Sequence, residues 1–366
     1  MGKTKRVLLL LFAVSLAAML TACGANNKAG NNTAGNNTGN APANQNGQAS
    51  SVESLKGKKI ALIMQFNTGT FSAQYIAGVK EQVEKFGGTV TIFASDNDLS
   101  KMASNLDNAI NQKFDGILID HGNKQALQKG VEKALQQKIP VVAFDAALEI
   151  PGVTDLQQDD QKMAEMTLEK LAQDIGGKGN IVKVWVAGFA PMERRQVAYQ
   201  EFLKKYPDIK EVAAFGNANN PQLDTQAQME SVLNKYPKGE IAAVWAAWDE
   251  FAKGAANAIK KAGRTEIKLY GIDMSDEDLR MIQDKTNPWV ASAAVDPTDI
   301  GRVQVRYLYQ LFHGDQIPAK VVLEPVLVTR DKLPEQTITT AELSKYVQGW
   351  GSSKQGYVDW MKELEQ

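Results

Sequence analysis

The feature that most constrains the fold of this chain is a regular alternation of short apolar segments with amphipathic ones. The segments 59–64, 116–120 and 140–144 are almost entirely apolar, whereas 71–86 and 124–137 carry apolar residues at helical spacing. Strands that are apolar on both faces are typical of parallel sheets covered by helices on each side. This part of the chain therefore predicts an α/β fold built on a parallel sheet.

The same alternation occurs a second time further along the chain. The segments 181–186, 241–247 and 267–272 predict buried strands, and predicted helices separate them. At 366 residues the chain is also too long for one compact core. Two sets of similar size predict two similar lobes, although the sets share little sequence.

An aromatic residue and a carboxylate follow one of these strands directly. The apolar segment 241–247 ends at Trp248-Asp249, where a helix is predicted to begin. Open α/β sheets bind ligands at the carboxyl ends of their strands. A flat ring beside a hydrogen-bond acceptor suits a sugar, which has a C–H face and a rim of hydroxyls. The alternative is structural: a buried Trp248, and an Asp249 favoured by the helix dipole.

The N-terminal residues 1–23 predict an export signal with a lipid anchor. Lys3, Lys5 and Arg6 form a basic head, and an apolar run too short for a comfortable membrane span follows. The sequence around Cys23 resembles the bacterial lipobox, in which the cysteine becomes the lipidated N-terminus. A plain signal peptide with a chance cysteine is the alternative.

The next segment, residues 24–54, is predicted to be a disordered tether. It is rich in Asn and Gly and has no apolar periodicity in most of its length. A flexible coil of this kind would let a folded body move close to a membrane surface.

Composition argues against several classes of function. The 41 basic and 42 acidic residues nearly cancel, so nothing indicates a nucleic-acid partner. His121 and His313 are the only histidines and Cys23 is the only cysteine, too few for a zinc cluster, a disulfide framework or a Cys–His pair. The chain also lacks a Gly-x-Ser-x-Gly elbow and a phosphate-binding Gly-rich loop. We therefore expect no enzymatic activity, no metal and no cofactor.

Markers spread along the chain occur in a characteristic order. They are Phe71 ahead of Gly78, Asp145 after the strand 141–144, Arg195-Gln-Val-Ala-Tyr199, Trp248-Asp249 ahead of Gly254, and Tyr270-Gly-Ile-Asp273. With this set, residues 58–330 resemble the sugar-binding solute receptors of ABC transporters, the group that includes the ribose- and galactose-binding proteins. No single marker is specific, but their common order and spacing are.

The resemblance implies a type I periplasmic binding protein fold, with two Rossmann-like lobes and parallel sheets joined by a three-stranded hinge. The N-terminal lobe would comprise 55–157 plus 296–324, and the C-terminal lobe 158–295 plus 325–366. The ligand would lie in the cleft between them, and closure would be a hinge motion. A terminal helix docked through Trp350 and Trp360 is also expected.

The resemblance also implies a set of binding residues. Phe71 and Trp248 would lie on the two faces of a sugar ring, Arg195 would donate hydrogen bonds, and carboxylates would accept them. The full set is Phe71, Asp145, Arg195, Trp248, Asp249 and Asp273, with Gln65 and Asn220 as weaker members. Each residue has a structural alternative, such as a core position for Phe71 or a turn for Asp273. The register could also shift from Arg195 to Arg194.

The chain departs from the ribose receptors at several of these positions. It has Ser72 in place of a second aromatic, Ala146 in place of an Arg, Trp248 in place of an Asn and Val295 in place of a Gln. The pocket is therefore rebuilt, and ribose itself is not the expected ligand. A sugar, a sugar alcohol or a cyclitol would suit a pocket that keeps three carboxylates and one Arg.

The implied function is capture of a small carbohydrate by a monomeric, lipid-anchored receptor outside the cytoplasmic membrane, and delivery to an ABC transporter permease. The alternative is a receptor that presents a sugar or an autoinducer to a sensor kinase or chemoreceptor. A sugar-sensing repressor would need a DNA-binding motif ahead of the first strand. The export signal and the Asn-rich segment occupy that place instead.

Overall fold

A computed structural model of the chain describes residues 51–351 and 353–366. Its strands form two six-stranded sheets. In chain order the strands are β1 (Lys59–Met64), β2 (Thr89–Ala94), β3 (Gly116–Asp120), β4 (Val141–Phe144), β5 (Thr154–Gln158), β6 (Gly179–Val184), β7 (Ile209–Phe215), β8 (Ala243–Ala246), β9 (Lys268–Ile272), β10 (Trp289–Ala294), β11 (Lys320–Leu323) and β12 (Val326–Thr329).

Helices alternate with most of these strands, as the apolar pattern predicts. They are α1 (Gly69–Lys85), α2 (Leu99–Asn111), α3 (Lys124–Gln136), α4 (Asp160–Asp174), α5 (Ala190–Lys205), α6 (Pro221–Lys235), α7 (Asp249–Lys261), α8 (Asp276–Gln283), α9 (Pro297–His313) and α10 (Met361–Leu364). In the described residues, no helix combines the length and apolar character needed to cross a membrane.

The two sheets have equivalent topologies. The first has the strand order β11-β5-β4-β3-β1-β2 and the second has the order β12-β10-β9-β8-β6-β7. Every strand pair is parallel except β10 with β12. Each position in one sheet thus has a counterpart in the other. The predicted α/β fold of two similar lobes is confirmed.

The chain passes between the sheets at three points. They lie between β5 and α4, between β10 and α9, and between β11 and β12. Helix α4 packs on β9 and β10 of the second sheet, whereas α9 packs on α1, β3 and β4 of the first. These crossings form the predicted three-stranded hinge, and they place the carboxyl ends of both sheets at one cleft.

Two glycines among the sequence markers have a packing role. A Cβ atom on Gly78 would lie 2.0 Å from the Thr298 carbonyl oxygen, because α1 packs closely against α9. A Cβ atom on Gly254 would lie 2.3 Å from the Gln222 carbonyl oxygen, where α7 packs against α6. Any side chain at either position would push two helices apart. These markers therefore belong to the fold and not to the binding site.

The C-terminal tail differs from its predicted assignment to the C-terminal lobe. Trp350 is buried in the core of the second lobe, but Met361 and Leu364 are buried with Leu55 in the core of the first. The expected terminal helix is only the single turn of α10, next to the 3₁₀ helix Val52–Leu55. The tail therefore returns to the first lobe and buries apolar side chains in its core.

The start of the folded body also differs slightly from the prediction. Residues 52–54, expected to be part of the tether, lie in the 3₁₀ helix Val52–Leu55 that leads into the core. The predicted lipidation site Cys23 and the rest of the tether, up to residue 50, lie outside the described residues.

Candidate ligand-binding site

A cavity with about 760 Å³ of empty space lies where the carboxyl ends of the two sheets face each other. The first lobe lines it with residues that follow β1, β3 and β4, and the second lobe with residues that follow β6, β8 and β9. Topologically equivalent loops of the two lobes thus surround the same space. This is the position at which open α/β sheets bind ligands.

Most of the predicted binding residues line this cavity. They are Phe71, Asp145, Arg195, Trp248, Asp249 and Asp273. Gln65 and Asn220 do not line it. Gln65 is buried below it, where its amide donates to Asn97 and its Oε1 accepts from the Gly122 N–H, both at 2.8 Å. Asn220 is exposed at the N-terminus of α6 and lines a neighbouring concavity.

Asp145 and Asp273 occupy equivalent places in the two lobes. Asp145 follows β4 with a φ of 52°, and Asp273 follows β9 with a φ of 74°. Their backbone N–H groups still donate to the next strand, to the Leu156 and Ala293 carbonyls at 2.9 Å. Left-handed backbone is best tolerated by Gly, Asn and Asp, so the residue type suits the conformation. Each strand therefore ends by bringing a buried carboxylate to the cavity.

Two adjacent arginines hold these carboxylates. Arg195 donates to Asp160 at 2.8 Å and to the Ala247 carbonyl at 2.6 Å, and it lies 3.4 Å from Asp273. Arg194 donates to Asp160 at 2.7 Å and to Asp145 at 2.6 Å. Arg194 thereby joins the second lobe to the first, while Arg195 lines the cavity. The predicted register at Arg195 is consistent with this arrangement.

The pKa values of the equivalent carboxyls Asp145 and Asp273 are raised. Burial, reinforced by the charge of Asp160, raises the pKa of Asp145 to about 7 despite the nearby Arg194. Burial also raises the pKa of Asp273 to about 6, with Asp249 adding to the rise and Arg195 opposing it. Both groups therefore carry a proton for part of the time near neutral pH when no ligand is bound.

These raised pKa values predict a pH dependence of folding stability. Unfolded Asp has a pKa of about 3.9, so the folded chain binds protons more tightly at Asp145 and Asp273. The favourable contribution is complete at low pH and is lost as the pH rises from about 4 through about 6 and 7. Asn does not titrate, so D145N and D273N should gain stability relative to the parent chain across that window. Urea unfolding at several pH values would measure the difference in the free energy of unfolding between each variant and the parent chain. A difference that does not change with pH would contradict the prediction.

Asp249 belongs to a second cluster of charges beside the cavity. The buried Lys253 ammonium lies 3.1 Å from Asp249, 2.6 Å from Glu250, 3.3 Å from Glu277 and 3.4 Å from Asp278. Asp249 uses Oδ2 for this contact, and its buried Oδ1 has no hydrogen-bond partner among the described residues.

Aromatic rings form another part of the lining. The Phe66 ring lies 5.6 Å from the Phe189 ring, 6.1 Å from the Trp248 ring and 5.7 Å from the His121 ring, measured between centroids. All of these residues line the cavity. Trp248 is half-buried: it lines the cavity, and its ring also lies 5.2 Å from that of the buried Phe251, measured between centroids.

Several other residues of the lining were not predicted, although their position relative to the strands marks them as candidates. Phe66, Asp120, His121 and Phe189 all lie at or just after the carboxyl ends of strands, as do the residues that were predicted.

His121 Nδ1 lies 2.9 Å from Asp120. Burial alone would lower the pKa of His121, but Asp120 and Asp145 outweigh it and the net shift is upward. In residues 51–351 and 353–366, no group of His, Cys, Asp and Glu is arranged to hold a metal ion.

Comparisons with known proteins agree with this architecture. The family described as "Periplasmic binding protein domain" matches residues 60–316. The chain is 29% identical over 262 residues to the xylitol-binding protein of Mycolicibacterium smegmatis, covering 70% of this chain and 73% of the relative. The relatives are binding proteins of transporters, so the prediction that the chain is not an enzyme is confirmed.

Solved structures show the same fold. A sugar ABC transporter protein from Yersinia enterocolitica superposes with a TM-score of 0.83 at 36% identity, covering 88% of this chain and 99% of that one. A 5-methylthioribose transporter solute-binding protein from Thermotoga lettingae, in complex with 5-methylthioribose, superposes with a TM-score of 0.79 at 34% identity, covering 84% and 96%. The family match, these structures and the two-lobed fold around a shared cleft show that the chain belongs to the periplasmic binding proteins.

Proposed function

We propose that this protein captures a small carbohydrate (a sugar, sugar alcohol or cyclitol) between its lobes and delivers it to an ABC transporter permease. The observation that carries the proposal is the pair of equivalent strand-end carboxylates, Asp145 from one lobe and Asp273 from the other. They meet around two arginines in a cavity that aromatic rings also line.

The chemistry of the lining suits a polyhydroxylated ligand. A carboxylate accepts hydrogen bonds from two neighbouring hydroxyls, and a guanidinium such as that of Arg195 offers a fork of donors. A ring such as that of Phe71 can cover a C–H face of a sugar.

Contacts between the lobes support capture by closure. Besides the pair of Arg194 with Asp145, Asn97 donates to Asn219 at 2.9 Å and Thr70 donates to Glu277 at 3.2 Å. Each of these pairs joins one lobe to the other beside the cavity. A ligand that contacts both lobes would favour the closed state over an open one.

The ligands of related proteins support the same class. Relatives and neighbours include a xylitol-binding protein, a D-apiose import binding protein, and a solute-binding protein from Agrobacterium vitis with bound allitol. The ligands named for these proteins are one pentose and two open-chain polyols, which would fit the rebuilt pocket. They make a carbohydrate the first choice for this chain as well.

The proposed receptor is a monomer, anchored through lipid at Cys23 to the outer face of the cytoplasmic membrane. The basic head, apolar run and lipobox-like sequence support that placement. A sensor kinase or chemoreceptor remains the alternative partner, because the cleft would bind its ligand in the same way for either one.

Thermal unfolding against a panel of pentoses, hexoses, deoxysugars, polyols and inositols tests the capture step. A ligand at 100 times its dissociation constant should add about 2.7 kcal/mol of stability. For lobes of this size that corresponds to an upward shift of roughly 5–10 °C. We expect a stereochemically selective hit, and D273N should lose most of its shift at the same ligand concentration. No shift with any member of the panel would contradict a carbohydrate receptor.

A further inference from the structure

The rings of Phe66, Phe189 and Trp248, here called the aromatic patch, form one connected surface in the cavity. Phe66 comes from the first lobe, and it contacts Phe189 and Trp248 of the second. All three side chains are half-buried and line the cavity. Val186 and Met192, each three positions from Phe189 in the sequence, also line the cavity. The cavity therefore offers much more apolar surface than one sugar face requires.

Two members of the aromatic patch occupy positions where a polar residue would stabilise a helix. Phe189 is the N-cap of α5 and Trp248 is the N-cap of α7, and neither side chain caps its helix. Ser, Thr, Asp or Asn is strongly preferred there, and losing such a cap costs about 1 kcal/mol. The N-cap side chains of α2, α3, α4, α8 and α9 do accept helix N–H groups.

Two of the helices that begin at the cavity thus have a large ring where a polar N-cap would stabilise the helix. Local preferences that are broken at one place tend to mark functional positions. In each case the ring faces the cavity and contacts Phe66 instead of serving the core alone. Both rings also pack against the core of the second lobe, and the side that faces the cavity is available to a ligand.

The charged groups of the cavity form a cluster that is separate from the aromatic patch. Asp145, Asp160 and Asp273 are connected through Arg194 and Arg195, as described above. The aromatic patch is connected through Phe66 and includes no hydrogen-bond partner of that charged group. A hydroxyl pressed against the rings would lose its hydrogen bonds to water without a replacement, which would weaken binding. An alkyl group there would instead gain stability.

We propose that the ligand is a carbohydrate in which an alkyl or alkylthio group replaces one hydroxyl. The hydroxyl-bearing part contacts the carboxylates, and the apolar substituent lies on the aromatic patch. A thioether is particularly suited, because sulfur packs favourably against the edges of aromatic rings. This inference rests on the proposed carbohydrate-binding function and narrows its ligand class.

Calorimetric titration of the purified protein with a matched series of pentoses tests the inference. 5-Deoxyribose, 5-methylthioribose and 5-ethylthioribose share the hydroxyls of a furanose ring and differ at one carbon, and D-ribose shares them in its furanose form. Burial of each added methylene should tighten binding by about fourfold. We expect affinity to rise along the series, with the thioethers at least tenfold tighter than ribose. Equal or tighter binding of ribose would overturn the inference.

A pair of variants at Phe189 identifies the surface that carries the preference. Phe189→Asn removes the ring but supplies a favourable N-cap for α5, so the fold should be retained. Phe189→Leu keeps an apolar side chain. The affinity ratio of 5-methylthioribose to ribose should fall at least fivefold in F189N and remain within about twofold of the parent in F189L. An unchanged ratio in F189N would overturn the assignment to the aromatic patch.

The outcomes separate this inference from the proposed function. If unsubstituted sugars or polyols bind and the substituted pentoses do not bind more tightly, the receptor function stands and the inference fails. If no carbohydrate in either set binds, the proposed function itself fails. Melting temperatures of both variants confirm that a lost preference does not come from unfolding.

Discussion

Replacing Asp273 with asparagine should raise the dissociation constant for the carbohydrate ligand by roughly 100-fold. The side chain is buried at the cavity, within 3.4 Å of Arg195, where a carboxylate can accept from two hydroxyls. Hydrogen bonds to a charged group contribute about 1.5–3 kcal/mol each, and losing one or two accounts for that factor. Asparagine fits the left-handed backbone at this position, so the fold should not change. Calorimetric titration with the best ligand of the panel would measure the loss.

The matched comparisons are Asp145→Asn and Asp107→Asn. Asp145 is the equivalent residue of the other lobe, so D145N should show a loss of the same order. Asp107 is exposed on α2 and pairs with Lys133 at the surface, so D107N should bind normally. Normal binding by both D145N and D273N would refute the assigned site.

Replacing Lys253 with methionine should lower the free energy of unfolding by about 3–5 kcal/mol. The ammonium is fully buried among Asp249, Glu250, Glu277 and Asp278, and its removal leaves buried carboxylates without a counter-charge. Methionine fills a similar volume, so the loss would be electrostatic. The melting temperature should fall by roughly 10 °C at neutral pH.

Lys261→Met provides the control on the same helix. Lys261 pairs with Glu230 at the surface, where a salt bridge contributes about 0–1 kcal/mol. Its replacement should change the melting temperature by roughly 2 °C or less. The loss in K253M should also shrink at acidic pH, because burial raises the pKa of Asp278 and of Glu250 and the protonated acids need no counter-charge. Equal melting temperatures for K253M and K261M would show that the buried cluster does not depend on its lysine.

Much of the fold could be predicted because strands of a buried parallel sheet are apolar on both faces. The strand around Val244 and the residues Trp248 and Asp249 at its end were identified on that basis alone. Phe66, Asp120 and Phe189 also lie at or just after the carboxyl ends of strands, where α/β sheets bind ligands, and could have been selected in the same way. They were missed because the resemblance directed attention to the family's own positions.

Other features could not be predicted because they depend on contacts distant in sequence. Gln65 follows β1 as a binding residue would, but its side chain bonds to Asn97 and Gly122 beneath the cavity. Asp160 resembles an ordinary first-turn carboxylate of a helix, yet it is buried between Arg194 and Arg195. Only the tertiary structure shows which partner each polar group finds.

The return of the tail to the first lobe affects how closure could be observed. Leu55 near the start of the folded body and Leu364 near its end are buried in the core of the same lobe. Fluorescent reporters fused at residues 51 and 366 would therefore move together, and energy transfer between them would hardly change as the lobes close. An optical sensor built from this protein needs one reporter inserted in a surface loop of the second lobe, such as residues 237–240, with the other at a terminus.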